Sequence, residues 1–513
     1  ACSLIAVVWQ MGLLSVMGFG IDPMSILVPF LVFAIGVSHG VQMINSTGKR
    51  VAAGMDAKTA AQASFRKLLV PGGVALLSDT VGFLTLLIIE IGVIRELAIT
   101  ASLGVAVIIL TNLILLPVLM SFVRFSQRYK TYAAKPSVTS DKIWFALSAF
   151  ATRKYAGVIL LVTAALFVFG YMQSAQLKIG DLHAGAPALH EDSRYNQDTF
   201  LITDRYAISV DYLNVMVETI PSACTEHGIM AKIDRFQWLM ENVEGVQSTV
   251  SLASVSKSIN AAFNEGNVKW RVLPRNTQSL VQASSRVETS TGLLNADCSV
   301  MPVILFLQDH KAETMERVVA AAKQYGKEIG DEQTRFMLAS GPAGVMAATN
   351  EAVSEAQQPM MWYVYGAVIV LCLLSFRSVR ATVSVIVPLY VVSVLATALM
   401  TALQIGLTVS TLPVIALGVG IGVDYGIYIL SNMTQMLRDG APLRQAYYEA
   451  LKERGSAVLF TGITLAIGVS TWVFSALKFQ VDMGILLTFM FIVNMLGAIV
   501  VLPALAAFLW RKN

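Results

Sequence analysis

Several uninterrupted apolar runs in this 513-residue chain exceed about 18 residues, the length that spans a bilayer as a helix. They predict membrane helices near 1–19, 24–47, 70–90, 93–123, 155–173, 361–376, 381–403, 410–431, 456–476 and 484–510. A soluble chain of this length needs a charged surface, with about 25% charged residues. Here 14% are charged and 55% are apolar. The net charge of +4 matters less than its placement. The connections at 49–67, 124–154, 377–380, 438–454 and 511–512 hold twenty of the 37 Lys and Arg residues, and the short connections on the opposite side hold only Arg95 and Lys478. Positive charge stays in the cytoplasm. The long polar segment near 175–358 is therefore expected outside, and the protein is expected as a multi-pass protein of a bacterial inner membrane with a periplasmic domain.

A gapless self-match appears when the chain is slid by 386 residues. Ile35-Gly36-Val37 falls on Ile421-Gly422-Val423, Gly40 on Gly426, Gly54 on Gly440, Gly82 on Gly468, and Leu116-Pro117 on Leu502-Pro503. Each copy reads as a helix, a basic amphipathic stretch and two more helices. The amphipathic stretches, Asp56–Lys67 with an N-capping Asp and 442–454 with Pro442 placed to open a helix, are expected along the cytoplasmic membrane surface. Parallel repeats are a transporter habit, with binding and coupling sites between the halves. The second copy has two further helices and the polar segment before it. The repeat therefore predicts that on the order of 240 residues of the complete fold precede Ala1. No basic leader region is visible at the start.

The polar segment reads as mixed α and β. Strands are expected at Ala207–Val217, Val300–Gln308 and Arg335–Ala339, with helices near 225–243 and 311–328, which makes a small split βαβ sandwich. Cys224 and Cys298 both lie in this segment, where disulfides persist, and are a disulfide candidate. Cys2 and Cys372 lie in apolar helices and read as small buried hydrophobes. Residues 124–154 read as a cytoplasmic linker.

Charges near the bilayer centre cost at least about 2.5–3.5 kcal/mol, so each one there is a functional candidate. Asp424 lies about two-thirds along a helix otherwise free of charge, with Tyr425 beside it and Tyr428 one turn on. Its plain alternative is a carboxyl that only fixes helix packing. Asp79 sits mid-helix between Ser78 and Thr80, where the second copy has Leu465. Either it is structural, or the first half has moved its acid there from the position now held by Ser38, the counterpart of Asp424. His39 falls on Tyr425, and a His side chain, with an unperturbed pKa near 6.5, can change charge at physiological pH. A lone His in an apolar helix is otherwise a packed, hydrogen-bonded residue. Ser78 and Thr464 are equivalent positions that either orient a proton or pack helices. Gly418, Gly420 and Gly422 do not form a dinucleotide fingerprint, because Val423 takes the sixth place; close helix packing accounts for them. No Walker A pattern, zinc spacing or nucleophile elbow occurs. No cofactor, metal site or enzyme activity is expected.

An external domain after the first helix of each set of six helices, with Gly-x-x-x-Asp in the fourth helix of the second half, resembles the resistance-nodulation-division (RND) superfamily. The stretch from Gly418 to Gly426, Gly-Val-Gly-Ile-Gly-Val-Asp-Tyr-Gly, is most similar to the MmpL-type and hopanoid-exporter branch, and more distantly to Patched-like sterol-sensing proteins. The resemblance implies a mainly α polytopic membrane protein, with two repeated helix bundles and an α+β periplasmic domain. It divides the chain into a truncated first bundle at 1–123, the linker 124–154, a seventh helix at 155–173, the periplasmic domain at 174–358 and the second bundle at 359–513. In that branch an Asp-Tyr pair in each fourth helix is taken to carry protons. Asp424 and Tyr425 fit this pattern, whereas Ser38 and His39 depart from it. The implied relay comprises Asp424, Tyr425, His39, Asp79, Ser38 and Thr464. The implied function is proton-coupled export of lipid-like or hydrophobic molecules; the alternative is a sterol-sensing or protein-export accessory protein on the same fold. Its expected partners are the lipid bilayer, a hydrophobic substrate and protons, with a periplasmic partner protein and a homo-oligomer left open and no nucleic acid.

Overall fold

The computed structural model describes residues 1–127, 129 and 138–510. These form two compact units: Ala1–Leu177 with Ala352–Ser475 and Phe479–Asn513, and Lys178–Glu351 with Ala476–Lys478. The expected linker 124–154 includes 128 and 130–137, and the expected basic end includes 511–512; these positions lie outside the described residues.

The first unit is helical. Its first helices are α1 (Cys2–Val16), α2 (Val28–Ala52), α3 (Ala57–Leu84), α4 (Gly92–Ile108) and α5 (Arg153–Ser174). Among the described residues nine helical stretches are long and apolar enough to cross a membrane, and α1, at 15 residues, is a shorter apolar helix. The amphipathic stretch expected on the membrane surface is instead the opening of α3, which runs on through Pro71 without a break. Asp56 caps it, accepting from the Thr59 amide at 3.0 Å. Nothing between Lys67 and Pro71 stops a helix, so the basic turns and the apolar turns share one axis.

The α+β unit holds α6 (Arg194–Arg205), β1 (Tyr212–Thr219), α7 (His227–Glu241), β2 (Val246–Ser251), α8 (Leu252–Phe263), β3 (Val300–Leu307), α9 (Ala312–Ile329) and β4 (Thr334–Ser340). The sheet order is β2-β3-β1-β4, antiparallel throughout. The strand β1 therefore lies between β3 and β4, and β3 between β1 and β2. Each gap is crossed by a helix, giving two interleaved split βαβ units. Alternation buries Leu213, Val215 and Val217 on β1 and Met301, Val303, Leu305 and Leu307 on β3. They meet Met230, Ile233 and Phe236 of α7 and Met315 and Val318 of α9 in one core. Cys224 and Cys298 are bonded, with their Cα atoms 5.6 Å apart.

The chain re-enters the first unit through α10 (Pro342–Phe376), then α11 (Val379–Ala402), α12 (Leu412–Arg438), Leu443–Ala450, α13 (Ser456–Ser470) and α14 (Lys478–Leu496). The repeat is visible in these boundaries. Shifted by 386, Ala57–Leu84 becomes the span from Leu443 to Ser470, and the 3₁₀ turn Thr85–Ile88 becomes Thr471–Phe474, as observed. Gly54 and Gly440, just before the two stretches, both hold left-handed φ, +99° and +86°. Both copies also widen into π-helix, at Ile109–Leu115 and Gly497–Val501, immediately before their Leu-Pro.

Candidate functional site

The helix α12 is buried through almost its whole length, from Leu412 to Leu430 without interruption. Its glycines permit this. A Cβ on Gly418 would meet Met490 Cε at 2.3 Å, one on Gly422 would meet Asn494 Nδ2 at 2.3 Å, and one on Gly420 would stand 3.5 Å from Asp79 Oδ1. Asn494 fills the space beside Gly422 and donates to the Gly418 carbonyl at 2.9 Å. The first half has the same crossbar, Asn112 to the Gly36 carbonyl at 2.7 Å, also spanning 76 residues. In the second half it sits four residues earlier along the repeat, about 6 Å of helix.

The repeat-related helices α2 and α12 meet at His39 and Asp424. Nε2 of His39 lies 3.5 Å from Oδ2 of Asp424, and both residues are buried, at 3% and 4% exposure. The other ring nitrogen, Nδ1, is 3.2 Å from the Ile35 carbonyl. A carbonyl only accepts, so Nδ1 carries a proton. The Nε2 of a neutral His39 then faces Asp424 as an acceptor, and a single further proton on either group completes the contact.

Asp79 comes to the same level from α3. It is buried, neither carboxyl oxygen has a hydrogen-bond partner, and Oδ1 lies against Gly420, one turn from Asp424. The approach is close because a glycine stands on each side: a Cβ on Gly82 would lie 3.7 Å from the Gly420 Cα. With His39 singly protonated, the three groups are neutral when both carboxyls hold a proton. Each proton lost from or gained by the set leaves a net charge in a buried site.

Around this set, the Tyr425 hydroxyl is buried without a hydrogen-bond partner, and the Tyr428 ring meets the His39 ring edge-on at 5.9 Å between centroids. Ser38 is buried on the same turn as His39. The Ser78 hydroxyl beside Asp79 is buried and unpartnered. Thr464 is turned away from the cluster: its hydroxyl donates to the Phe460 and Thr461 carbonyls of its own helix, at 2.7 and 3.1 Å. The buried, unpartnered hydroxyl on α13 belongs to Thr461 instead. Sequence reading missed Gln42, whose Oε1 is buried and unpartnered one turn from His39, and also the two crossbar asparagines. The available signal was an amide side chain inside an apolar helix.

The chain is similar in sequence to known proteins. The family described as the MMPL family matches residues 218–513. A membrane protein of Methanocaldococcus jannaschii, MJ1562, is 19% identical over 356 residues, covering 68% of this chain and 89% of its own length. A chain of Mycobacterium tuberculosis named as a probable transport protein, MmpL9, is 25% identical over 231 residues, 44% of this chain and 24% of that protein. The Streptomyces coelicolor membrane protein SCO6666 is 30% identical over 89 residues, 17% of this chain and 13% of its own.

Proposed function

The chain belongs to the MMPL family, and we propose that it is a proton-coupled secondary transporter that exports lipid-like or hydrophobic molecules from a bacterial inner membrane. The observation that carries this reading is the His39–Asp424 contact, with Asp79 beside it, where the two halves of the repeat meet. A net charge created there by proton arrival or departure costs at least about 2.5–3.5 kcal/mol, enough to shift a two-state equilibrium by roughly two orders of magnitude. The proton thus decides which packing of the two halves is favoured, and alternation between packings carries the substrate. Only O–H and N–H bonds exchange in this scheme, which is transport chemistry rather than enzyme catalysis. The excess of Lys and Arg in the connections at 49–67 and 438–454 supports a reading with those ends in the cytoplasm and the α+β unit in the periplasm.

Apolar dicyclohexylcarbodiimide reacts with protonated carboxyls, so it tests the relay without a known substrate. Asp424 is expected to be modified, with labelling falling as pH rises, and mass spectrometry of the peptides reads the result. Failure of Asp424 and Asp79 to label at any pH, or labelling indifferent to pH, would sink the proposal. If Asp424 labels in this way but the unmodified protein moves no protons in dye-loaded liposomes, a lipid-sensing or export-accessory role is favoured.

A further inference from the structure

On the cytoplasmic side of Asp424 the two central helices carry polar side chains at four-residue steps. Asp424, Tyr428 and Asn432 fall on one face of α12, and Ser38, Gln42, Ser46 and Arg50 on one face of α2. All of these except Arg50 are buried. The two rows are counterparts in the repeat, since a shift of 386 takes Ser38 to Asp424, Gln42 to Tyr428 and Ser46 to Asn432. In the other direction both helices are wholly apolar, over 412–423 and 28–37. Along these two helices polar side chains therefore continue from the site toward one side of the membrane only, and on the other side Asn494 and Asn112 reach them from neighbouring helices to hold the Gly418 and Gly36 carbonyls.

The rows end in a charged cluster. Arg50 Nη1 donates to Ser46 Oγ at 2.8 Å. Asn432 Nδ2 donates to Glu453 Oε2 at 2.7 Å, and Lys67 Nζ donates to Glu453 Oε1 at 2.5 Å. Arg454, 4% exposed, lies 3.8 Å from the same carboxylate. Lys49 holds the Lys452 and Glu453 carbonyls at 3.0 and 2.8 Å, and Asp141 stands 3.8 Å from Lys452. The Tyr428 hydroxyl, between site and cluster, rests in the space left by Gly72, whose Cβ would fall 3.3 Å from it. From Asp424 to Asn432 the row is about 12 Å long.

We propose that this row is the inner half of the proton path and that Glu453 is its mouth, a reading that rests on the proton-coupled function proposed above. A proton leaves the Asp424 carboxyl and passes along the Tyr428 hydroxyl, the Gln42 amide oxygen and water held between them. The Glu453 carboxylate accepts it and becomes a neutral acid. Lys67 keeps its charge and loses its ion pair until Glu453 releases the proton to the cytoplasm. Because Lys67 and Glu453 join the two halves, each proton that exits loosens the clasp between them.

The test is carried out on the full chain with Cys2 and Cys372 replaced by Ala and the disulfide left intact. Single cysteines are placed at Gln42, at Ser46 and at Ile35, which is as buried as Gln42 but lies outward of Asp424. Aminoethyl methanethiosulfonate is then added to the cytoplasmic face of inside-out vesicles. Q42C and S46C are expected to label while I35C stays unlabelled; three equal rates would overturn the path. In sealed vesicles with the two pH values set separately, carbodiimide labelling of Asp424 is expected to follow the cytoplasmic pH, and E453Q to displace that profile. Labelling that follows only the periplasmic pH, or a profile unmoved by E453Q, overturns the path and leaves the proton-coupled reading standing. Labelling indifferent to both pH values removes that reading itself.

Discussion

Lys67 donates to Glu453, its own counterpart 386 residues further on, with Nζ and Oε1 at 2.5 Å. The two residues are counterparts in the repeat, and they are in direct contact. Identical residues there would set like charge against like. The chain avoids this by being asymmetric where these two counterparts face each other.

Reversing one charge should therefore hurt and reversing both should not. Lys67→Glu alone is expected to lower the melting temperature in detergent, and Lys67→Glu with Glu453→Lys to restore most of the loss. The pair is about one-third exposed, so the coupling should be small, about 0.2–1 kcal/mol in a double-mutant cycle.

Asp424→Asn keeps the volume and part of the hydrogen bonding but cannot titrate. Proton movement into dye-loaded liposomes should fall to background while the variant elutes as the parent does. His39→Ala should weaken the movement or displace its pH profile, and Asp79→Asn should do the same. Full pH-dependent movement by Asp424→Asn would contradict the mechanism.

The Cys224–Cys298 bond spans 74 positions and ties the start of α7 to the start of β3. Chain-entropy arguments give roughly 4 kcal/mol for a loop of this size. Cys298→Ser should cost about 2–4 kcal/mol in denaturant unfolding of the α+β unit. Thiol labelling of unreduced protein should find neither cysteine free.

His310 in the α+β unit is 2% exposed, with Nδ1 3.0 Å from Asp211 Oδ1. Burial pushes its pKa down, but Asp211, followed by Asp181 and Asp309, pushes it up further, and the net shift is upward from 6.5. The folded state then holds the proton more tightly than the unfolded state. The stabilisation is complete below pH 6.5 and is lost as pH rises through the folded value. Melting curves at successive pH values should show this decline, and His310→Gln should flatten it.

How much of this was legible depends on how local each signal is. Membrane helices announce themselves through uninterrupted apolar residues, and the β3-α9-β4 unit through alternation beside an amphipathic stretch. The strand β2 did not, because Val-Gln-Ser-Thr-Val-Ser is too polar to read as a sheet element; it forms an edge against β3. The strand β1 starts at Tyr212 rather than at Ala207, since the Ala207 carbonyl is taken by the Ser248 hydroxyl and the Gln247 amide holds Thr203 and Tyr206. At the site, Asp424 and His39 stood out as charge in apolar surroundings. The repeat alignment pointed to Thr464, but hydroxyl direction depends on rotamer, and Thr461 has the unpaired one. The Lys67–Glu453 pair was hidden because each residue, read alone, is an ordinary charge near the end of a membrane helix.

The unbroken burial of α12 sets how freely this protein can vary. On α5, only 11% of the apolar window is buried, against 94% on α12. Most positions of α5 should accept any apolar residue, so related chains can drift there without consequence. On α12 every substitution between Leu412 and Leu430 changes a packed contact, so a saturation-mutagenesis map should show one continuous intolerant stripe. A chain that keeps this helix and loses resemblance elsewhere should still be recognisable by it.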